Sequence, residues 1–252
     1  MIGEIAVALT GVGLLAGLLI GCIGVGGVIL VPVLVYAFGI PIQTAIAAAM
    51  MGYILTGLIG TLVYARERSI RWDLAAWLCA GATPAALLGA LASNIADPRL
   101  LEFGIGALAL SSGVYNLTGV RQTGRELEQP GSVELAVTGG VTGVLSALTG
   151  TGGPLVLVPL LMWRRVLVLA AIGLSQAIQL PIALLATLGN IAYGTLDAGM
   201  GLLLGLGLLA GTWGGALIAH AMPRAALERL ASVMLLVIGF LILANLMHSS
   251  LS

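Results

Sequence analysis

Apolar residues fill this chain in long runs, at roughly 5–38, 41–65, 72–93, 100–119, 133–163, 166–193, 196–220 and 225–247. Charge and turn residues collect in the gaps between them. Six runs are 20–28 residues long, enough for one tilted helical crossing of a hydrocarbon core about 30 Å thick. The first and fifth are longer, at 34 and 31 residues. No stretch shows the dyad alternation of a membrane barrel. The pattern predicts an all-α polytopic membrane protein.

Both long runs are broken by glycine. The first holds Gly21-Cys22-Ile23-Gly24-Val25-Gly26-Gly27 and the fifth holds Thr149-Gly150-Thr151-Gly152-Gly153, each followed by a Val-Pro pair, Val31-Pro32 and Val158-Pro159. Glycine costs about 1 kcal/mol per residue against alanine in a helix, so each cluster predicts a break at membrane depth. Other landmarks repeat in order. Gly89-Ala90-Leu91 precedes Asp97-Pro98-Arg99, as Gly215-Ala216-Leu217 precedes Met222-Pro223-Arg224, and Asp73 and Asp197 open the third and seventh runs. Offsets stay between 124 and 127 residues. The chain therefore divides into a first transmembrane repeat, 1–119, a polar cytoplasmic linker, 120–132, and a second transmembrane repeat, 133–252.

Arginine placement predicts the topology. If every run crosses once, Arg66, Arg68, Arg71, Arg121 and Arg125 fall on one side and Arg99, Arg164, Arg165, Arg224 and Arg229 on the other. Such an even split violates the positive-inside bias. If runs one and five fold back at their glycines, nine arginines share one face and Arg99 alone takes the other. The expected fold is thus two inverted repeats, each a glycine-tipped helical hairpin plus three transmembrane helices, with both termini periplasmic. Length alone leaves open whether the hairpins are re-entrant or fully spanning.

Composition narrows the function classes. The chain is 60% hydrophobic and 8% charged with a mean hydropathy of +1.14, against roughly 25% charged residues in soluble domains. Ten arginines balance ten acids and lysine is absent, which excludes a GxxxxGK[ST] phosphate loop and a basic nucleic-acid surface. Cys22 and Cys79 are far apart and outside any CxxC pattern, so they read as small buried side chains rather than metal or redox groups. The first twenty residues lack a basic n-region and are not read as a cleaved signal peptide. No cofactor or metal is expected. The expected partners are a small anionic substrate and the lipid bilayer, with no nucleic acid; a homo-oligomer is left open.

Irregular backbone at membrane depth persists only when buried in protein or lining a wet cavity. Past each glycine cluster a second half-helix begins, with Pro154 suited to its first turn. The amide N–H groups of such a start, reinforced by the helix dipole, favour an anion. Candidate substrate-binding residues are Gly26, Gly27, Thr149, Thr151, Gly152 and Gly153 at the breaks. Gln176, Gln179 and Asn190 join them from the sixth run, because amides at mid-membrane are expensive unless paired or wet. The alternative for any one glycine is close helix packing, and for the amides, bonding to neighbouring backbone. The first-half stretch Ala47–Tyr53 is nearly apolar, so polar recognition is expected mainly from the second half. His220 reads as an interfacial helix-end group; Asp73, Asp97, Glu102 and Asp197 read as caps or interface charges. No ionisable side chain is placed at the bilayer centre. An anion exporter needs no tight coupling, since moving one negative charge outward gains about 2.3 kcal/mol per 100 mV.

The doubled GxGG-to-VP pattern, the eight apolar runs and the Pro-Arg opening of each half's last run resemble the sulfite exporter (TauE/SafE) family over essentially the whole chain. The resemblance implies a bacterial inner-membrane secondary transporter of small sulfur-containing or two-carbon anions such as sulfite, sulfonates or thiosulfate. It also implies a site near the glycine hairpins, at Gly26, Gly27, Gly152 and Gly153. Pro154 after the second glycine pair and the reduced polarity of Ala47–Met51 depart from that pattern. Three other readings stand beside it: a channel-like anion conductor, a non-transporting assembly subunit, and an intramembrane serine protease, for which only His220 and His248 could serve. An enzyme is not expected.

Overall fold

The computed structural model describes residues 2–24, 26–117, 131–164, 166–193 and 195–251. The linker expected at 120–132 lies almost wholly outside these residues, as do Val25, Arg121, Arg125 and Arg165. Ten helices are formed among the described residues: α1 Ile2–Ile23, α2 Gly27–Phe38, α3 Ile42–Arg66, α4 Trp72–Ile95, α5 Pro98–Leu117, α6 Ser132–Thr149, α7 Pro154–Trp163, α8 Val168–Ala192, α9 Ala198–Ala221 and α10 Arg224–Leu251. Six of them, α1, α3, α4, α6, α8 and α9, are long and apolar enough to cross a membrane. Each predicted long run has become two helices, a long one and a short one, broken at the glycines.

The ends of these helices follow local rules. Asp197 Oδ1 accepts from Met200 N at 3.0 Å and caps α9. Asp97 Oδ1 accepts from Arg99 N at 2.8 Å where α5 begins. Pro98 and Pro154 occupy the first positions of α5 and α7, where a missing N–H leaves no bond unmade. Gly24 (φ +75°) and Gly150 (φ +68°) end the two long hairpin arms in the left-handed region, which residues with a Cβ enter only at a cost of about 1–2 kcal/mol.

Small residues set the packing. Gly13, Gly17 and Gly21 on α1 lie against Leu204, Leu208 and Thr212 on α9, and Gly207, Gly211 and Gly215 return the contact to Thr10, Leu14 and Leu18. Both series ascend, so α1 and α9 run in the same direction, at a separation that leaves no room for a Cβ. The α4–α6 seam is built alike: Gly81 and Gly89 meet Ala136 and Val144, and Gly139 and Gly143 meet Leu78 and Ala82. Helices in a bilayer gain nothing from apolar burial against each other, so close backbone approach of this kind supplies much of their association.

The remaining seams fix the other directions. Gly201 meets Met51 and Gly205 meets Leu55, so α3 runs parallel to α9, whereas Gly57 meets Leu180 and Gly60 meets Gln176, so α3 runs antiparallel to α8. Gly106 meets Leu243 and Gly113 meets Leu236, placing α5 antiparallel to α10. Parallel α1 and α3 require α2 to double back between them. An ion pair from Glu134 at the start of α6 to Arg164 at the end of α7 likewise shows that the second hairpin enters and leaves at one end of the bundle. At 12 and 10 residues, α2 and α7 reach ~18 and ~15 Å, about half of a ~30 Å core. They are re-entrant arms.

Candidate functional site

The two hairpin tips meet. A Cβ on Gly24 would lie 3.0 Å from Pro154 Cβ, and Gly27 presses against the Thr151 carbonyl. Gly26, the N-cap of α2, has no side chain capping it and is packed against the Ala16 carbonyl of its own hairpin. In α7 the Gly153 carbonyl accepts the first helical bond, from Leu157 N at 3.1 Å. The amides ahead of such a bond have no intrahelical acceptor. Two helix starts therefore face one another in the interior, with α2 and α7 leaving in opposite directions.

Helices α3 and α8 wall this junction. Gln179 is 1% exposed, and its Nε2 lies 3.3 Å from where a Gly152 Cβ would be. That nitrogen donates to Thr56 Oγ1 at 2.6 Å, and Thr56 donates to the Tyr53 carbonyl at 3.0 Å. Gln179 Oε1 has no partner among the described residues. Gln176 is turned differently: its Nε2 donates to the Ile20 carbonyl at 3.0 Å, and its Oε1 lies against Gly60 with no hydrogen-bond partner among the described residues. Gly153 packs on Ser175 and Ile178 of α8.

The first tip is tied by side chains and the second is not tied in the same way. Tyr53 Oη donates to the Gly27 carbonyl at 3.3 Å and Tyr64 Oη to the Gly21 carbonyl at 2.8 Å. With Gln176 on Ile20, three side chains hold carbonyls of the first tip. In the second tip Thr149 donates to the Leu145 carbonyl at 2.7 Å, so the 2.9 Å contact with Thr151 Oγ1 uses the Thr151 proton. Both hydroxyl protons are consumed within the tip.

Eight of the nine candidate residues are thus brought to one junction. Asn190 is the exception. It lies eleven positions beyond Gln179, ~16 Å along α8, and bonds to Asn94 instead. Two contributors come from the stretch read as apolar or its flank, Tyr53 and Thr56. The repeat register carried the missing signal, since Tyr53 stands 126 residues before Gln179. Among the described residues every buried polar side chain is uncharged.

The model of the sulfite exporter TauE/SafE family matches residues 9–242. The chain belongs to this family. A probable membrane transporter protein of Bacillus subtilis is 24% identical over 237 residues, covering 91% of this chain and 96% of that protein. Another, from Methanocaldococcus jannaschii, is 25% identical over 190 residues, covering 72% of this chain and 70% of its own. A third, from Xylella fastidiosa, is 31% identical over 107 residues, 41% of each chain. No solved structure matches. With six apolar helices long enough to span, this TauE/SafE member is a multi-pass membrane transporter.

Proposed function

We propose that this TauE/SafE protein is a secondary transporter that exports a small sulfur-containing anion, such as sulfite or an organosulfonate, across the bacterial inner membrane by alternating access. The observation that carries this reading is the meeting of two half-helix starts beside Gln179. Each helix N-terminus carries about half a positive charge, so two together match roughly one negative charge. No buried cation competes for that role among the described residues. A monoanion suits the site better than a dianion, whose second charge would stay unbalanced in a low-dielectric interior.

Gln179 supplies adaptable recognition. Its unpartnered Oε1 suits a substrate that bears a proton. Turned over about its last torsion, the same amide would accept from Thr56 and offer N–H to a bare oxyanion. The halves related as inverted repeats would rock about the tips, a mode suited to midplane sites between broken helices. Nine arginines on the cytoplasmic face, with both termini periplasmic, is the orientation that follows from the positive-inside rule.

Flux in proteoliposomes tests the proposal. Purified protein is challenged with sulfite, thiosulfate, sulfoacetate and chloride under a set membrane potential. Saturable, potential-sensitive movement of a sulfur anion is expected, and Gln179→Leu should reduce it at least ~10-fold, since a hydrogen bond to a charged group contributes about 1.5–3 kcal/mol. Saturable movement of chloride alone, or unsaturable flux of all four, overturns it.

A further inference from the structure

Two polar clusters lie away from the central junction, at opposite ends of the bundle. The first is where α3 and α9 end together. Ser69 Oγ is 3.1 Å from His220 Nε2, and His220 Nδ1 is 2.7 Å from the Ala216 carbonyl. The His220 ring packs on Tyr64 at 4.7 Å between centroids, and Tyr64 reaches on to Gly21 of the first tip. The second cluster is where α4 and α8 end together. Asn94 Nδ2 donates at 2.8 Å to both Asn190 Oδ1 and the Ala90 carbonyl, and Thr195 Oγ1 donates to Asn94 Oδ1 at 2.9 Å. Because α3 and α8 are antiparallel, their C-terminal ends point to opposite faces.

The clusters are the same device in two copies. Tyr64, Ser69 and Asn94 stand 126 residues before Asn190, Thr195 and His220. The backbone matches too: Ser69 N donates to the Tyr64 carbonyl at 2.9 Å and Thr195 N to the Asn190 carbonyl at 3.3 Å. His220 and Asn94 each bond the carbonyl four residues back. Each cluster joins one helix of the first half to one of the second at one end of the bundle, so it breaks when those two helix ends part.

The copies differ in completeness. The first extends through Tyr64 to the hairpin tip. The second stops at Asn190, whose Nδ2 is buried with no partner among the described residues. An orphan buried N–H keeps its full desolvation penalty until water or another acceptor reaches it.

We propose that these clusters are the two opposed gates of the transporter, both closed in this occluded arrangement, and that the Asn94–Asn190–Thr195 gate opens the more readily. The proposal rests on the alternating-access reading above. Thr61 and Thr187, one turn inside the respective gates and each with a buried hydroxyl that has no hydrogen-bond partner among the described residues, provide matched reporter positions.

In a background carrying Cys22→Ala and Cys79→Ala, single Thr61→Cys and Thr187→Cys reporters would be labelled with a membrane-impermeant maleimide. Right-side-out and inside-out vesicles give the two faces. Thr195→Val should raise Thr187→Cys labelling about 5-fold from its own face, the population equivalent of one hydrogen bond, and lower Thr61→Cys labelling from the other. Ser69→Ala should do the reverse. Should Thr195→Val not fold, Asn94→Ser removes the Thr195–Asn94 bond together with the Asn94–Asn190 bond while keeping a shorter polar side chain. Labelling that rises at both reporters together, or changes at neither, overturns the gates. No substrate is needed for labelling, so the two ideas fail separately. Reciprocal labelling without sulfur-anion flux would overturn the substrate reading and keep the gates; sulfur-anion flux without reciprocity would overturn the gates alone.

Discussion

Gly152 shows how narrowly the tips are specified. Its φ of +72° lies in the left-handed region, and a Cβ there would meet Gln179 Nε2 at 3.3 Å. Asparagine enters that region more easily than a β-branched residue. Gly152→Asn should therefore retain a measurable melting transition in detergent, whereas Gly152→Val should lower the midpoint by several degrees more and abolish flux. Thr56→Val isolates one donor: it strands the Gln179 amide in the interior, a loss of about 1–3 kcal/mol, and should weaken substrate affinity ~5-fold or more in a saturation curve. The sequence marked Gln176 and Gln179 because a buried amide is conspicuous in apolar text. It hid Tyr53 and Thr56, since a tyrosine or threonine in a helix raises no such alarm until its hydroxyl is seen to land on a tip carbonyl or an amide.

At the level of single helices, neighbouring glycines play opposite roles. A Cβ built on Gly214 meets nothing within 4 Å among the described residues beyond its own stretch of helix, whereas Gly215 abuts the Leu18 carbonyl and Cys22 N of α1. Gly214→Ala should leave the melting midpoint unchanged or raise it, by as much as ~1 kcal/mol of helix propensity. Gly215→Ala should lower it and broaden the size-exclusion peak, because backbone would have to move. Periodicity and run length foretold the helices and their breaks; Asp97 and Asp197, read from their place at run ends as caps or interface charges, both accept from backbone N–H groups. Periodicity and run length could not foretell that α2 and α7 stop at half depth, because an apolar run of 31 or 34 residues fits a short arm and a long one as well as two equal ones. Nor could they tell lining glycines from packing glycines, a distinction made only by the neighbour across the seam.

Taken whole, the bundle exchanges partners between its halves: α1 with α9, α4 with α6, α3 with α8, and α5 with α10. Helix directions put Arg66, Arg68, Arg71, Arg164 and Arg229 toward one end and Arg99 toward the other, as the hairpin reading of the sequence required. An Arg68→Cys label should accordingly react only from the cytoplasmic face, and a label at Asp97→Cys only from outside; the opposite result would invert the assigned orientation. The ordered landmarks of the sequence point to a duplication. The exchange was not readable from them, because apolar periodicity says that a helix is covered without saying by which neighbour.

That exchange bears on how the chain is made. The glycine face of α1 is completed by α9, so nearly two hundred residues must follow α1 through the insertion machinery before its seam can close. Until then the first hairpin has α3 alone to tie its tip, through Tyr53 and Tyr64, and its glycine face stays open. The first half is thus an unfinished object on its own. Residues 1–119 and 133–252 expressed singly should be degraded, and expressed together as two chains they should rescue one another.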